Sequence, residues 1–244
     1  MQIVFQLILF VVLLAVVAGG GIGGIWYYIH SGRLRKREER SLGAVLLLVK
    51  VPRSNEIKID AMEQIISSLH AIHEKGGFLS RFSDQPTISF EIVAQKEEIK
   101  FYIWASKGLR DLIEKQVHGG YPDAEITEVP EYNIFYDGGH VAHKSYQLSK
   151  ESYFPLKTYK ELPTDPLSSV TSAIGKMGEG EAVAVQILVS PVDSSWQKMG
   201  RDYIASTRKQ ESDPNKVTHS VSGKQLEAIE NKIGKLGYEV SIRV

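Results

Sequence analysis

The chain has 244 residues, of which 43% are hydrophobic, and its 29 basic and 29 acidic side chains give a formal net charge of zero. This length and composition allow a sizeable core and one or two domains, and they exclude a collagen-like, low-complexity or disulfide-rich chain. The absence of cysteine also excludes a disulfide, a cysteine-ligated zinc ion and a thiol nucleophile.

The first 32 residues carry no Asp, Glu, Lys or Arg and are nearly all apolar or glycine. At about 1.5 Å per residue, a helix of this length exceeds the roughly 30 Å hydrocarbon core of a bilayer. We therefore predict a transmembrane anchor over residues 1–32, with Trp26, Tyr27 and Tyr28 at the membrane interface, where aromatic side chains concentrate. A cleaved signal peptide is the alternative, although the charged amino-terminal region of such peptides is missing.

A basic flank follows the apolar run, with Arg33, Arg35, Lys36 and Arg37 close together. We predict residues 33–43 as a juxtamembrane linker whose basic side chains contact membrane lipid. Because positive flanks stay in the cytoplasm, the amino terminus is expected outside and the rest of the chain at the cytoplasmic face of the inner membrane, with a single crossing.

Two pairs of glycines lie four residues apart within the apolar run, Gly19 with Gly23 and Gly20 with Gly24. This spacing lets the backbones of two membrane helices approach closely, so the four glycines are candidates for helix packing. The alternative is that they only loosen the end of one helix.

Residues 44–130 show strand and helix patterns in the order β-α-β-β-α-β, which is typical of a ferredoxin-like unit with both helices on one face of the sheet. Its hairpin is the clearest feature, because apolar and polar residues alternate on both sides of a polar turn. We expect Phe90, Phe101 and Ile103 on the face that packs against the helices. Tyr102 and Trp104 alternate with them, and we expect these two as outward-facing contact residues for another domain or protein.

A second α+β unit is predicted over residues 140–244, with a polar loop at 209–222. Its strands and helices also fit a ferredoxin-like unit, which we expect to be incomplete because the chain ends within a strand. The predicted fold class is therefore α+β, with a transmembrane helix followed by two ferredoxin-like units.

No pattern in the sequence indicates catalysis. A phosphate-binding loop is absent, since Gly175 and Lys176 are followed by Met177 rather than by Ser or Thr. His70 and His73 share a helix face, but a catalytic zinc needs a third protein ligand. No nucleophile elbow occurs. We therefore predict a chain that is not an enzyme, with no catalytic, cofactor-binding or metal-binding residue.

Nucleic-acid binding by Tyr102 and Trp104 is a further hypothesis, because aromatic side chains on such a sheet can stack on bases. The net charge of −3 over residues 41–244 and the lack of an RNA-binding motif argue against direct nucleic-acid binding.

Six stretches of the sequence carry a resemblance to known proteins, namely residues 48–52, 62–70, 88–93, 116–124, 226–232 and 237–244. They resemble a family of membrane-anchored bacterial proteins in which this kind of region precedes a P-loop ATPase of the HerA/FtsK or conjugation type, in the type IV secretion class. They are structural stretches, and the ATP-binding motif of that family has no counterpart here. The resemblance implies the membrane-proximal, non-catalytic part of a secretion or DNA-translocation machine.

We thus expect a membrane-anchored structural and interaction module that positions a P-loop ATPase at the inner face of the membrane. Its expected partners are membrane lipid, the ATPase domain or subunit and, as a candidate, a second copy of the chain. An envelope-assembly scaffold without an ATPase partner is the alternative, and a small-ligand sensor is a third hypothesis.

Overall fold

A computed structural model describes residues 43–73, 85–95, 98–211 and 222–244, together with scattered positions between residues 2 and 31. The chain divides into two units, one of Met1–Ala44 with Lys75–Asp84 and one of Val45–Glu74 with Gln85–Val244. In the first unit, the described positions between residues 2 and 31 are helical.

The predicted transmembrane anchor is wrong. Among the residues that the structure describes, no helix is both long enough and apolar enough to cross a bilayer. A crossing needs about 20 consecutive apolar residues. The longest helix with both ends described has 17 residues and includes charged side chains. The single-pass inner-membrane localisation and its orientation depended on that anchor and are corrected with it.

The second unit combines seven strands with five α-helices among its described residues. The strands are β1 (Ala44–Lys50), β2 (Ile88–Gln95), β3 (Glu98–Ser106), β4 (Glu125–Val129), β5 (Ser145–Tyr146), β6 (Ala182–Pro191) and β7 (Tyr238–Arg243). The helices are α1 (Asp60–Leu69), α2 (Arg110–Gly120), α3 (Pro166–Ile174), α4 (Ser195–Glu211) and α5 (Gly223–Ile233), with 3-10 turns at His70–Ile72, Lys107–Leu109 and Tyr159–Glu161. Of the polar loop predicted at 209–222, residues 209–211 belong to α4 and residues 212–221 lie outside the described residues.

All seven strands belong to one sheet, in the order β4-β1-β3-β2-β6-β7-β5. The prediction of two ferredoxin-like units is therefore wrong, although the α+β class stands. The reason lies in β2, which would be an edge strand in a separate four-stranded unit. Instead it pairs antiparallel with β3 on one side and with β6 on the other. The pairing with β6 runs from Ile88 opposite Val189 to Gln95 opposite Ala182, so the backbone groups of β2 are satisfied on both sides.

One face of the sheet packs against α1, α2 and α3. The core under α1 and α2 contains the fully buried side chains of Leu47, Leu69, Ile88 and Ile113. A second cluster, under α3, joins Ile174 of the helix to apolar residues of β2 and β6. Because β2 and β6 contribute to both clusters, the two halves of the chain share one hydrophobic layer.

Helices α4 and α5 pack against each other and against residues 153–154. Ile204 of α4 and Ile229 of α5 are buried at the centre of this contact. A glycine at position 200 is needed there, because a Cβ atom would lie 2.7 Å from the Ile233 side chain and 3.0 Å from the Tyr153 side chain. The helix pair therefore depends on a close approach of α4 to its neighbours.

On its helix-packed face, the hairpin of β2 and β3 differs from the prediction at Phe101. Ile103 is buried under the helices as expected, whereas Phe101 is 47% exposed. Both side chains point to the helix-packed face because they are two residues apart on one strand. Phe101 lies towards the start of β3, where all four of the first residues are exposed. Alternation along a strand predicts the face of a side chain, but not how far the helices extend over it.

Truncation of these two residues should have unequal effects. Ile103→Ala should lower the free energy of unfolding by about 2–5 kcal/mol, because it leaves a cavity in the core. Phe101→Ala should cost about 1 kcal/mol or less, because its side chain keeps much of its contact with water. Urea denaturation of both variants measures the difference, and equal losses would contradict the burial described for β3.

Tyr238 at the start of β7 ties this strand to α1 by donating a hydrogen bond to the backbone carbonyl of Ile66. Burial raises the pKa of Tyr238 to about 12, above the value of about 10 expected for an unfolded chain. Between these two values, the folded state holds a proton that the unfolded state has released. The stabilising effect is therefore complete below about pH 10 and is lost as the pH rises towards 12.

We expect the urea midpoint of the wild-type chain to fall as the pH rises from about 10 to about 12. Tyr238→Phe removes the titrating group, so its midpoint should fall less steeply over the same range. The slopes are compared rather than the midpoints, because the variant also loses the hydrogen bond to Ile66. If the urea midpoint falls equally steeply with pH in the two proteins, Tyr238 has the same pKa in the folded and unfolded states.

Candidate functional site

The face of the sheet opposite the helices is crossed by a short extended segment, residues 130–134, here called the strap. Two of its side chains, Tyr132 and Ile134, pack on a cluster centred on Leu46, Val93 and Tyr102. These residues come from β1, β2 and β3, and Ala184 of β6 joins the cluster. The strap therefore covers the middle of the sheet on the face opposite the helices.

A buried carboxylate lies beneath the strap. Glu91 of β2 is only 5% exposed. The Tyr132 hydroxyl donates a hydrogen bond to one of its oxygens at 2.6 Å, and the Gln186 amide donates to the other at 3.1 Å. The same Gln186 amide donates to the Tyr132 hydroxyl oxygen at 3.2 Å. Glu91, Tyr132 and Gln186 thus form a closed triangle, here called the polar triangle.

The strand pairing brings the three residues of the polar triangle together. Glu91 lies directly opposite Gln186 in the β2–β6 ladder, so their side chains emerge side by side. Tyr102 of β3 is opposite Glu91 on the other side. The rings of Tyr102 and Tyr132 are 5.4 Å apart, which holds the Tyr132 hydroxyl over the carboxylate. Burial of a polar group is tolerated only when it is hydrogen-bonded in this way.

Tyr132 is a permanent donor in this arrangement. Burial and the hydrogen bond to the neighbouring Glu91 carboxylate raise the pKa of its phenol well above the usual value. The hydroxyl therefore keeps its proton at any physiological pH and cannot serve as a general base. Both Glu91 oxygens already accept hydrogen bonds. The polar triangle therefore serves to hold the strap against the sheet.

Ser89 extends the row of polar groups along β2. Its side chain is 2% exposed, and its hydroxyl has no hydrogen-bond partner among the residues that the structure describes. Beyond it, the Thr87 and Ser190 hydroxyls lie 2.7 Å apart and bond to each other. This row is the most polar part of the sheet interior. Two of its three residues, Glu91 and Thr87, bond to side chains of β6, whereas Ser89 does not.

A second group of charged residues joins α1 to later parts of the chain. Lys160 lies 3.2 Å from Asp60, and Lys235 lies 2.8 Å from Glu63. A hydrogen bond from Tyr159 and the nearby Lys160 lower the pKa of Asp60. All of these side chains are exposed, so the ion pairs contribute little to stability and hold no buried site.

The two predicted contact residues, Tyr102 and Trp104, are buried to different extents. Tyr102 is buried under Tyr132, and Trp104 is half-buried in the same cluster. Tyr102 contacts Tyr132 of the strap, so this part of the expected open aromatic face is covered. The residues that form the polar triangle were not predicted. Glu91 alternates with apolar residues as a solvent-facing residue would, and nothing in the sequence shows that the strap returns over it.

The described membrane-interface and helix-packing candidates of the first unit are exposed. Trp26, Tyr27 and Tyr28 are helical and between 65% and 79% exposed. Gly19, Gly20, Gly23 and Gly24 are also helical, and among the described residues outside their own helix backbone no atom lies within 4 Å of a Cβ built on any of them. Arg33, Arg35, Lys36 and Arg37 lie outside the described residues.

The histidine pairs do not assemble into a metal centre. The rings of His70 and His73 stack 5.6 Å apart, and Nε2 of His70 lies 3.4 Å from the backbone oxygen of Val192. His140 and His143 lie in an exposed segment of the chain. No group of three or more potential metal ligands occurs within the described part of the chain.

A protein family described as a domain of unknown function, DUF8128, matches residues 33–244, and the chain belongs to this family. No curated protein and no solved structure matches the chain significantly.

The polar triangle should make a measurable contribution to stability. Tyr132→Phe leaves one oxygen of the buried Glu91 without its donor and should cost about 1–3 kcal/mol of unfolding free energy. Tyr136→Phe is a matched control, because its hydroxyl is exposed and accepts a hydrogen bond from Gln95. That variant should change stability by about 0.5 kcal/mol or less.

A double-mutant cycle of Tyr132→Phe with Glu91→Gln tests the direct link between the two residues. We expect a coupling energy of at least about 0.5 kcal/mol by urea denaturation, because the residues share one hydrogen bond. Additive losses would mean that Tyr132 stabilises the strap through its ring alone.

Proposed function

We propose that this chain is a non-catalytic interaction module that positions a P-loop ATPase within a secretion or DNA-translocation machine. The observation that carries the proposal is a continuous run of exposed residues after the strap, residues 135–151, here called the arm. The arm presents five large apolar side chains that are 45–68% exposed, namely Phe135, Tyr136, Val141, Tyr146 and Leu148. Exposed apolar groups of this kind are typical of surfaces that bind other proteins.

The arm is held at its start and again at β5, which suits it to present these side chains. At its start, the Gln95 amide donates hydrogen bonds to the backbone oxygen of Asn133 and to the Tyr136 hydroxyl. Further on, Ser145 and Tyr146 pair with β7 as strand β5. A segment anchored in this way loses less conformational entropy on binding than a free tail would.

The chemistry of the polar triangle supports a module without catalytic activity. Its carboxylate is buried and doubly hydrogen-bonded, and its phenol keeps its proton. Tyr102, the best-placed aromatic residue for stacking on a base, lies under the strap. We therefore propose a protein partner rather than direct binding of nucleic acid.

The choice of an ATPase as the partner comes from the resemblance of residues 48–52, 116–124 and 237–244 to regions that precede such motors. An envelope-assembly scaffold would use the same arm for a partner that is not an ATPase. The binding experiment described next separates these two functions by the identity of the protein that is bound.

The chain itself should neither bind nor hydrolyse ATP. Isothermal titration calorimetry of the purified chain with ATP and magnesium should show no stoichiometric binding, and a phosphate-release assay should show no turnover. Stoichiometric binding would contradict a module without catalytic activity. A purified P-loop ATPase of the type IV secretion class from the same organism should bind the chain in the same calorimeter.

Two arm variants locate the contact with the ATPase. Val141→Glu and Leu148→Glu each place a charge on an exposed apolar side chain and should weaken ATPase binding by about tenfold or more, which corresponds to about 1.4 kcal/mol. Met199→Glu is the matched control, since Met199 is 52% exposed on α4, outside the arm. Equal binding by all three variants would exclude the arm as the contact surface.

A further inference from the structure

Strand β5 is the outermost strand on the β7 side of the sheet, and one side of its backbone is open. Lys144 exchanges two backbone hydrogen bonds with Val244, at 2.7 and 2.8 Å. Ser145 is opposite Arg243 at the next step of the ladder. Because bonded and non-bonded pairs alternate along an antiparallel ladder, the N–H and C=O groups of Ser145 point away from β7. None of the described residues makes a backbone hydrogen bond with these two groups.

Positive charges lie beside this open backbone without an acidic partner. Lys144 precedes Ser145 and Arg243 is opposite it, and both charged side chains are exposed. Neither side chain forms an ion pair within the described part of the chain. The carboxylates nearest to Lys144 along the arm, Asp137 and Glu151, are each seven residues away.

The one carboxylate of β7, Glu239, lies away from β5. It is opposite Ser190 of β6 and four residues from Arg243, which is about 13 Å along an extended strand. That separation exceeds the Debye length of about 8 Å at physiological ionic strength. The β5 edge therefore presents positive charge to any segment that approaches it.

The open backbone of Ser145 favours a peptide as the occupant. An edge strand offers both N–H donors and C=O acceptors, and an extended peptide supplies the complementary groups when it adds a strand to a sheet. The phosphates of a nucleic acid only accept hydrogen bonds, so they would leave the C=O group of Ser145 without a partner.

The side chains of β5 indicate what that peptide carries. Lys144 and Tyr146 are two residues apart and project to the same face of the strand. Nζ of Lys144 lies 5.7 Å from the centre of the Tyr146 ring, which is 54% exposed. A carboxylate followed by an apolar side chain at alternate positions of the peptide would complement this pair.

We propose that β5 is the docking edge for an extended acidic segment of the partner protein, which pairs with the backbone of Ser145 as an added strand and places carboxylates beside Lys144 and Arg243. Main-chain hydrogen bonds supply affinity in such a complex, and the charges supply specificity. The inference rests on the arm as the contact surface of the proposed function and adds what the partner contributes to that contact.

The acidic edge of a second copy is a poor source of this segment. Glu125 and Glu128 of β4 already form ion pairs within their own chain, with Lys50 at 3.5 Å and Arg110 at 2.8 Å. Their charge is therefore neutralised before a second copy could use it. We accordingly assign the acidic segment to a different protein.

Selection of peptides from a display library tests the chemistry of the docking edge without the ATPase. Random peptides of about ten residues, the length of a long strand, are selected on the purified chain. The bound peptides should be enriched in Asp and Glu, and selection on Lys144→Glu should abolish this enrichment. A lack of acidic enrichment on the wild type, or equal enrichment on Lys144→Glu, would overturn the proposal.

Lys115→Glu is the matched control for the charge reversal. Lys115 is exposed on α2. The same helix contacts β4, at the opposite end of the sheet from β5, through the ion pair of Arg110 with Glu128. This variant changes the net charge as Lys144→Glu does, so it should select acidic peptides like the wild type. Loss of acidic enrichment on Lys115→Glu as well would overturn the proposal, because overall charge rather than the β5 edge would then govern binding.

Ser145→Pro tests the backbone of the edge with a selected acidic peptide. Proline removes the outward N–H of β5 and leaves the hydrogen bonds of Lys144 to Val244 in place. The substitution should weaken peptide binding by about tenfold or more in isothermal titration calorimetry. Ser145→Thr, which keeps the N–H, should bind like the wild type. Equal affinities of the two variants would mean that no strand is added at β5, which would overturn the proposal.

Two further measurements identify other occupants of the edge. Sedimentation velocity should give the same mass for the wild type and Ser145→Pro. A mass that rises with concentration only for the wild type would give the edge to a second copy. A single-stranded DNA oligonucleotide should bind more weakly than the selected peptide, and the opposite order would give the edge to nucleic acid. Either of these contrary results would overturn the proposal.

The outcome is separable from that of the ATPase experiment. If the ATPase binds through Val141 and Leu148 while no acidic peptide is selected, the arm is the contact surface and the docking edge is rejected. If acidic peptides bind at β5 while the ATPase does not bind, the docking edge is supported and the proposed ATPase partner is rejected.

Discussion

The antiparallel pairing of β2 with β6 is the constraint on which the rest of the second unit depends. It joins residues from positions 88–95 to residues from positions 182–189, almost a hundred residues apart in the chain. Because β2 is also paired with β3, it becomes a central strand whose two faces both need cover. On one face the cover comes from α1 and α3, and on the other it comes from the strap.

The polar triangle is a direct consequence of that pairing. Glu91 and Gln186 are opposite residues in the β2–β6 ladder, and each alone would be a polar side chain on a covered sheet face. Tyr132 completes the group from a third part of the chain and bonds to both. A fully satisfied network of this kind specifies a single arrangement, because each wrong path of the strap would leave a buried carboxylate without its donor.

The path of the strap in turn decides what the molecule presents to others. The strap carries the chain from the β4 edge across the sheet, and the arm continues to the opposite edge, where it forms β5. Its apolar side chains remain exposed along the way, while β5 covers only the end of β7. The proposed ATPase contact thus follows from this crossing.

Local patterns in the sequence were sufficient for several elements. The hairpin of β2 and β3 and the buried position of Ile103 follow from apolar periodicity and turn residues. These features depend on neighbours within a few residues, and the sequence by itself therefore determined them. The absence of cysteine and of a phosphate-binding loop is likewise readable without a structure.

Only the tertiary structure decided how these pieces combine. Apolar alternation does not show which strand lies beside β2, so one seven-stranded sheet was mistaken for two ferredoxin-like units. Hydropathy over residues 1–32 predicted a transmembrane helix that the described residues do not contain. The sequence pattern predicted that Glu91 faces solvent and that Phe101 lies in the core, and both predictions are wrong. Burial depends on which distant parts of the chain cross each face of the sheet. Contacts across a long sequence separation leave no local periodic signal, and for this protein those contacts form the candidate site.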